Sequence, residues 1–100
     1  MTNTAYFFTV EQFNPDRCES TIRDERKFDT EAEAIEFFEN YDIANEFRIY
    51  TKTEGRYSME GTVLVASVIP ATIYEDGFEE CDTMDEIASK EYSWDDYIEA

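Results

Sequence analysis

Apolar positions change their spacing several times along this chain, and each change marks an element. Residues 5–13 (Ala-Tyr-Phe-Phe-Thr-Val-Glu-Gln-Phe) are aromatic and β-branched, which predicts a strand. Asn14-Pro15-Asp16 reads as a turn. Residues 18–28 alternate loosely, Cys18, Ser20 and Ile22 against Glu19, Thr21 and Arg23, which predicts a more polar strand near a sheet edge. At Thr30 the period changes. Thr30 and Glu33 have capping-box spacing, and at 100° per residue Ala34, Ile35, Phe37, Phe38 and Tyr41 fall on one arc of a helix. Glu33, Glu36, Glu39 and Asn40 fall on the other.

Alternation returns over residues 46–53, with Phe47 and Ile49 against Arg48 and Tyr50, and Thr53-Glu54-Gly55-Arg56 has the composition of a hairpin turn. Residues 61–69 are nearly all apolar, as in a central strand that Pro70 ends or breaks. Tyr74 to Cys81 reads as an acidic loop. A second helix is expected from Asp82 or Thr83, where Thr83 and Glu86 repeat the capping spacing and Met84, Ile87, Ala88 and Tyr92 supply an apolar face. Ser93-Trp94-Asp95-Asp96 starts a last short turn that folds Trp94, Tyr97 and Ile98 back onto the body. The order ββαββα predicts an α+β fold. It comprises a four-stranded antiparallel sheet, one helix packed on a face, and a second, acidic C-terminal helix.

Composition fits a single small domain, residues 1–100. The chain has 100 residues, of which 42% are hydrophobic and 16% aromatic, too many for an acidic disordered segment. The apolar run from Thr62 to Ala71 is about half a bilayer span. Met1-Thr2-Asn3-Thr4-Ala5 lacks the basic and apolar parts of a signal peptide, so a cytoplasmic location is expected. Cys18 and Cys81 form no CxxC pair and read as free thiols in a reducing compartment.

Charge alters this picture most. There are 25 acids against 8 bases and no histidine, a net charge of −17. Direct binding to nucleic acid or an anionic membrane is therefore excluded on electrostatic grounds. The excess is segregated: residues 29–46 carry net −7 with no base, and residues 75–100 carry net −10 with Lys90 as the single base. The two other stretches are nearly neutral.

Chemistry is sparse. The commonest general base and metal ligand is missing, and two distant cysteines cannot build a zinc site. No phosphate-binding glycine loop occurs. Placing Gly77 at position 6 of an EF-hand loop puts Thr72 at position 1 and Tyr74 at position 3, and the pattern fails. No enzyme activity, cofactor or metal is expected; paired carboxylates of glycosidase type are the one catalytic alternative.

What remains is the acidic surface. Acid runs can be merely solvated faces, and salt-adapted proteins are also acidic and lysine-poor. Against the first, a net charge of about 2–8 already serves solubility in a small domain, and the first helix has no base at i+4 from its glutamates. Against the second, Glu outnumbers Asp 16 to 9. Carboxylates three or four positions apart on a helix lie about 5–6 Å apart at Cβ, comparable to successive phosphates. Seventeen charges match roughly 29 Å of duplex, near the diameter of a compact domain with a radius of gyration of about 13 Å.

In composition and charge layout over its whole length, the chain resembles small acidic inhibitors of bacteriophages and mobile elements. These include anti-CRISPR and anti-restriction proteins and inhibitors of uracil-DNA glycosylase, many of them DNA mimics. The resemblance implies a partner with a basic nucleic-acid-binding groove, such as a CRISPR effector or restriction enzyme. The candidate surface is Glu33, Glu36, Glu39, Asp42, Glu75, Asp76, Glu79, Glu80, Asp82, Asp85 and Glu86. The alternative is an acidic adaptor, antitoxin or immunity-type protein that binds a basic protein without imitating DNA. Either works as a monomer or homodimer. Trp94 and Tyr97 are read as a cluster holding the tail, or else as an anchor in the partner's pocket.

Overall fold

Val63–Ile73 forms the strand on which the molecule is organised, because its run of apolar residues is long enough to be covered from both edges. The computed structural model describes residues 2–99, and Thr83 through its backbone only. The elements are β1 (Asn3–Asn14), β2 (Glu19–Phe28), α1 (Glu31–Asn40), α2 (Ile43–Glu54), α3 (Arg56–Met59), β3 (Val63–Ile73), β4 (Glu79–Cys81), a 3₁₀ turn (Thr83–Asp85), β5 (Ala88–Ser93) and α4 (Trp94–Glu99). They form an α+β fold with one curled antiparallel sheet in the order β2-β1-β3-β4, and β5 also pairs with β3.

β4 and β5 share one edge of β3. Ala88–Ser93 lies against Val63–Val68, and Glu79–Cys81 against Ala71–Ile73. The break between them falls at Pro70. Its carbonyl points to this edge and accepts from Asp82 N (2.9 Å), but proline has no N–H to return a bond. On the β1 side the ladder runs through Tyr6↔Pro70 uninterrupted. Pro70 therefore breaks β3's outer partner and not β3 itself.

Two parts of the sequence-based order are corrected. Residues 46–53, read as a strand, belong to α2. Asp42 caps that helix by accepting from Asn45 N (3.1 Å), Ile43 and Phe47 face the core, and Gly55, at φ +95°, ends it where a hairpin turn was expected. The helix expected from residue 82 is the 3₁₀ turn followed by β5. Met84, placed on its apolar face, is 92% exposed, whereas Tyr92 pairs with Leu64. The Thr83 side chain, proposed as its cap, lies outside the described residues. Part of the acidic loop is the strand β4.

Other expectations hold. Thr30 Oγ1 accepts from Glu33 N (3.3 Å) and donates to Glu33 Oε1 (2.8 Å). Ala34 is fully buried, with Ile35, Phe37, Phe38 and Tyr41 packed beside it. Ser93 and Asp96 cap α4 reciprocally: Asp96 N donates to Ser93 Oγ (3.2 Å), and Ser93 N to Asp96 Oδ2 (3.1 Å).

The helices cover one sheet face only. Phe8, Val10, Leu64, Ala66 and Val68 point into it and meet Ala34, Ile43, Phe47, Met59 and Trp94. Phe8 makes edge contacts with Phe37 (4.9 Å) and Tyr41 (5.0 Å). Trp94, 9% exposed, is a core residue beside Tyr97 (5.3 Å), as the tail-holding reading expects. On the opposite face Phe7, Ile69 and Ala71 form a small cluster. Lys27 Nζ of β2 reaches Glu79 Oε2 of β4 at 2.8 Å over that face, so strands at opposite edges curl toward each other. The radius of gyration is 15.0 Å and the extents are 48 × 27 × 22 Å, longer than the compact sphere assumed from sequence.

Lys90 explains its own exception to the acidic pattern. From β5 its ammonium donates to Phe38 O (2.7 Å) and Tyr41 O (2.6 Å), carbonyls at the C-terminal end of α1, and lies over the Phe38 ring. Lys90→Met is expected to lower the unfolding free energy by about 2–3 kcal/mol in urea titrations. A loss under about 0.5 kcal/mol would place the lysine among ordinary surface residues.

Candidate functional surface

The eleven candidate acids are all exposed, except that Asp42, Asp76 and Asp82 also hold local backbone. They fall into two groups. Glu33, Glu36 and Glu39 stand on the outer side of α1, with Asp42 at the cap of α2. Glu75, Asp76, Glu79, Glu80, Asp82, Asp85 and Glu86 line the β4 edge and the 3₁₀ turn, not a second helix. Here Glu80 accepts from the Tyr74 hydroxyl (2.8 Å), which pushes the Tyr74 pKa up. The hydrogen bond and charge of Asp82 likewise raise the Asp85 pKa, a direct sign of crowded carboxylates.

The bases are disposed differently. Arg23 pairs with Glu54 and lies over the Tyr50 ring at 4.1 Å. Arg26 covers Phe37 (4.9 Å), Arg56 covers Trp94 (5.3 Å), Arg48 binds Asn45, and Lys27 and Lys90 are tied as described. Six of the eight bases are thus engaged with the chain's own carboxylates, rings and amide oxygens. Hydrogen bonds also hold several acids in place, but few of them meet a cation.

Three acids that sequence reasoning left out share the sheet face without helices: Glu11, Glu25 and Glu91. Register defines their neighbours. Ser20, Phe13, Val63 and Ser93 form one row across the sheet; Ile22, Glu11, Val65 and Glu91 form the next; Glu25, Thr9, Ser67 and Ser89 the third. A bulge at Arg23 sets this phase in β2. The alternation Thr9, Glu11, Phe13 was a usable signal in the sequence. Glu91 carries no such signal, because the apolar spacing of Met84, Ile87, Ala88 and Tyr92 predicts a helix where β5 lies.

Burial, with Glu25 and Glu79 nearby, raises the Cys81 pKa and disfavours the reactive thiolate. Cys18 and Cys81 are both free and sit at opposite ends of the sheet. A polar pocket of about 270 Å³ is lined by Gln12, Arg17, Arg23 and Tyr57, but Glu19 beside it and Glu54 on Arg23 cancel its positive field. Among the described residues no three carboxylates or thiols are placed to hold a metal. No helix is long and apolar enough to cross a membrane.

No protein-family model, curated protein or solved structure matches the chain. Its function has to be read from its own surface.

Proposed function

We propose that this protein is a non-catalytic inhibitor that occupies the nucleic-acid-binding groove of a basic partner, as anti-CRISPR and anti-restriction proteins do, in the cytoplasm of a host cell. The observation that carries the reading is the opposite disposition of the charges. Six of the eight bases turn onto the chain's own oxygens and rings, while the eleven candidate carboxylates are exposed. A surface of this kind would release counterions from a basic groove as nucleic acid does. Seventeen net charges over a 48 Å axis come to about one per 3 Å. That is nearer the 3.4 Å spacing along a single strand than the roughly 1.7 Å of a duplex.

The test is capture of partners on the immobilised protein, eluted with single-stranded DNA, duplex DNA and then salt. Release by either nucleic acid is the expected result; a partner indifferent to both would sink mimicry. Replacing Glu36, Glu39 and Glu86 together by lysine should weaken the captured interaction at least about tenfold and flatten its salt dependence. The urea midpoint should hardly move, since all three side chains are exposed.

A second reading, an adaptor or immunity-type protein for a basic partner, is favoured by one observation. The helix-free sheet face exposes Phe13 and Ile22, and apolar side chains have no counterpart on a phosphate backbone.

A further inference from the structure

We infer that the helix-free face of the sheet is a docking surface for a cationic, aliphatic element of a partner protein, with an arginine seated over Val65 between Glu11 and Glu91. The inference rests on the reading that the partner is basic, and it moves the anchor from α1 to the sheet.

A water-facing side of an antiparallel sheet is ordinarily polar. This one carries Phe13 (38% exposed), Ile22 (53% exposed), Val63 and Val65 on adjacent strands, with Phe13 directly opposite Val63. The helices pack on the other side, against Phe8, Val10, Leu64, Ala66 and Val68. Neighbouring positions in a row are about 4.8 Å apart, so Glu11 and Glu91 flank Val65 at a separation of roughly 10 Å. That gap suits a guanidinium whose aliphatic stem lies on the valine while its nitrogens reach both carboxylates.

Charge selects the occupant. Of the bases on the strands, Arg23, Arg26 and Lys90 pack toward the helices, and Lys27, on this face, is held by Glu79. Glu11, Glu25 and Glu91 are left as the charges of the three rows, so a cation has no competitor there. A second copy would set the same three carboxylates against themselves, on top of −17 against −17.

The probe is a blocked peptide of alternating arginine and valine, titrated into the full-length ¹⁵N-labelled protein. Saturable binding is expected, with the largest amide shifts at Glu11, Phe13, Ile22, Val63, Val65 and Glu91. Glu11→Gln with Glu91→Gln, and separately Phe13→Ser, should each weaken it about tenfold; the carboxamide pair preserves shape if the serine variant unfolds. A lysine–serine peptide of equal charge should bind about tenfold more weakly. Equal binding of the two peptides, shifts centred on α1 or residues 75–86, or a doubled sedimenting mass that Phe13→Ser abolishes would each overturn the inference. Elution by nucleic acid is a separate readout: mimicry can fail there while the peptide still maps to this face, and the reverse.

Discussion

Phe47→Ala is expected to cost about 3–5 kcal/mol, a large share of the roughly 5–15 kcal/mol that stabilises a domain this size. Phe47 is completely buried, and its ring meets Tyr92 (5.5 Å), Tyr97 (5.4 Å) and Trp94 (6.3 Å). It therefore joins α2 to β5 and α4, two consecutive elements at the far end of the described chain. Truncation empties the space where they converge. Phe47→Leu keeps much of that volume and should lose less than half as much. Urea titration followed by far-ultraviolet circular dichroism checks both. An alanine variant within about 1 kcal/mol of the parent would show that α2 does not close the core.

Alkaline pH should destabilise the protein through Tyr41. Burial raises the Tyr41 pKa well above the ordinary 10.0, and the negative potential of Tyr50, Glu46 and Asp24 adds to it. The native phenol thus keeps its proton at a pH where the unfolded chain has lost it. Its contribution to stability is complete below pH 10 and is lost as pH rises from there toward the folded value, by up to about 1.4 kcal/mol per pH unit. Tyr41→Phe keeps the ring against Phe8 and Phe37 and removes the titrating proton, so its stability should fall less steeply above pH 10. Parallel slopes for parent and variant in urea midpoints from pH 8 to 11 would refute this assignment.

α1 was legible because two independent signals agreed there: Thr30 and Glu33 set its start, and the helical period sorted Phe37 and Phe38 from Glu36 and Glu39. α2 shows the converse. Phe47 and Ile49 alternate as in a strand, but Ile49 is 39% exposed, and the spacing that packs is Ile43 to Phe47. Asp42 is both an exposed acid and the cap that announces a helix. Met84, Ile87, Ala88 and Tyr92 also fit a helical stripe. They form no helix because the apolar run of β3 required a second neighbour, and only residues 88–93 were left to provide it. This is a tertiary demand that local spacing does not carry. The same limit applies to the surface: the α1 acids could be placed from their period, whereas Glu11 and Glu91 became neighbours of Val65 only through register.

The position of β3 between β1 and β5 also bears on how fast the fold can assemble. β1 pairs Asn3 with Ile73, so residues separated by most of the chain are brought together in that ladder. Closing so large a loop precedes any reward from the central pairing, and sheets built this way collapse more slowly than helical bundles. The last partner arrives later still, since Tyr92 and Trp94 complete a core begun by Phe8. During synthesis the β1–β2 hairpin emerges before β3, and of the elements that cover its apolar side only α1, through Phe37 and Tyr41 on Phe8, follows it directly. The acidic stretch that carries α1, residues 29–46, emerges while the β3 edge of β1 is still unpaired, and like-charge repulsion between nascent chains would keep those open edges apart.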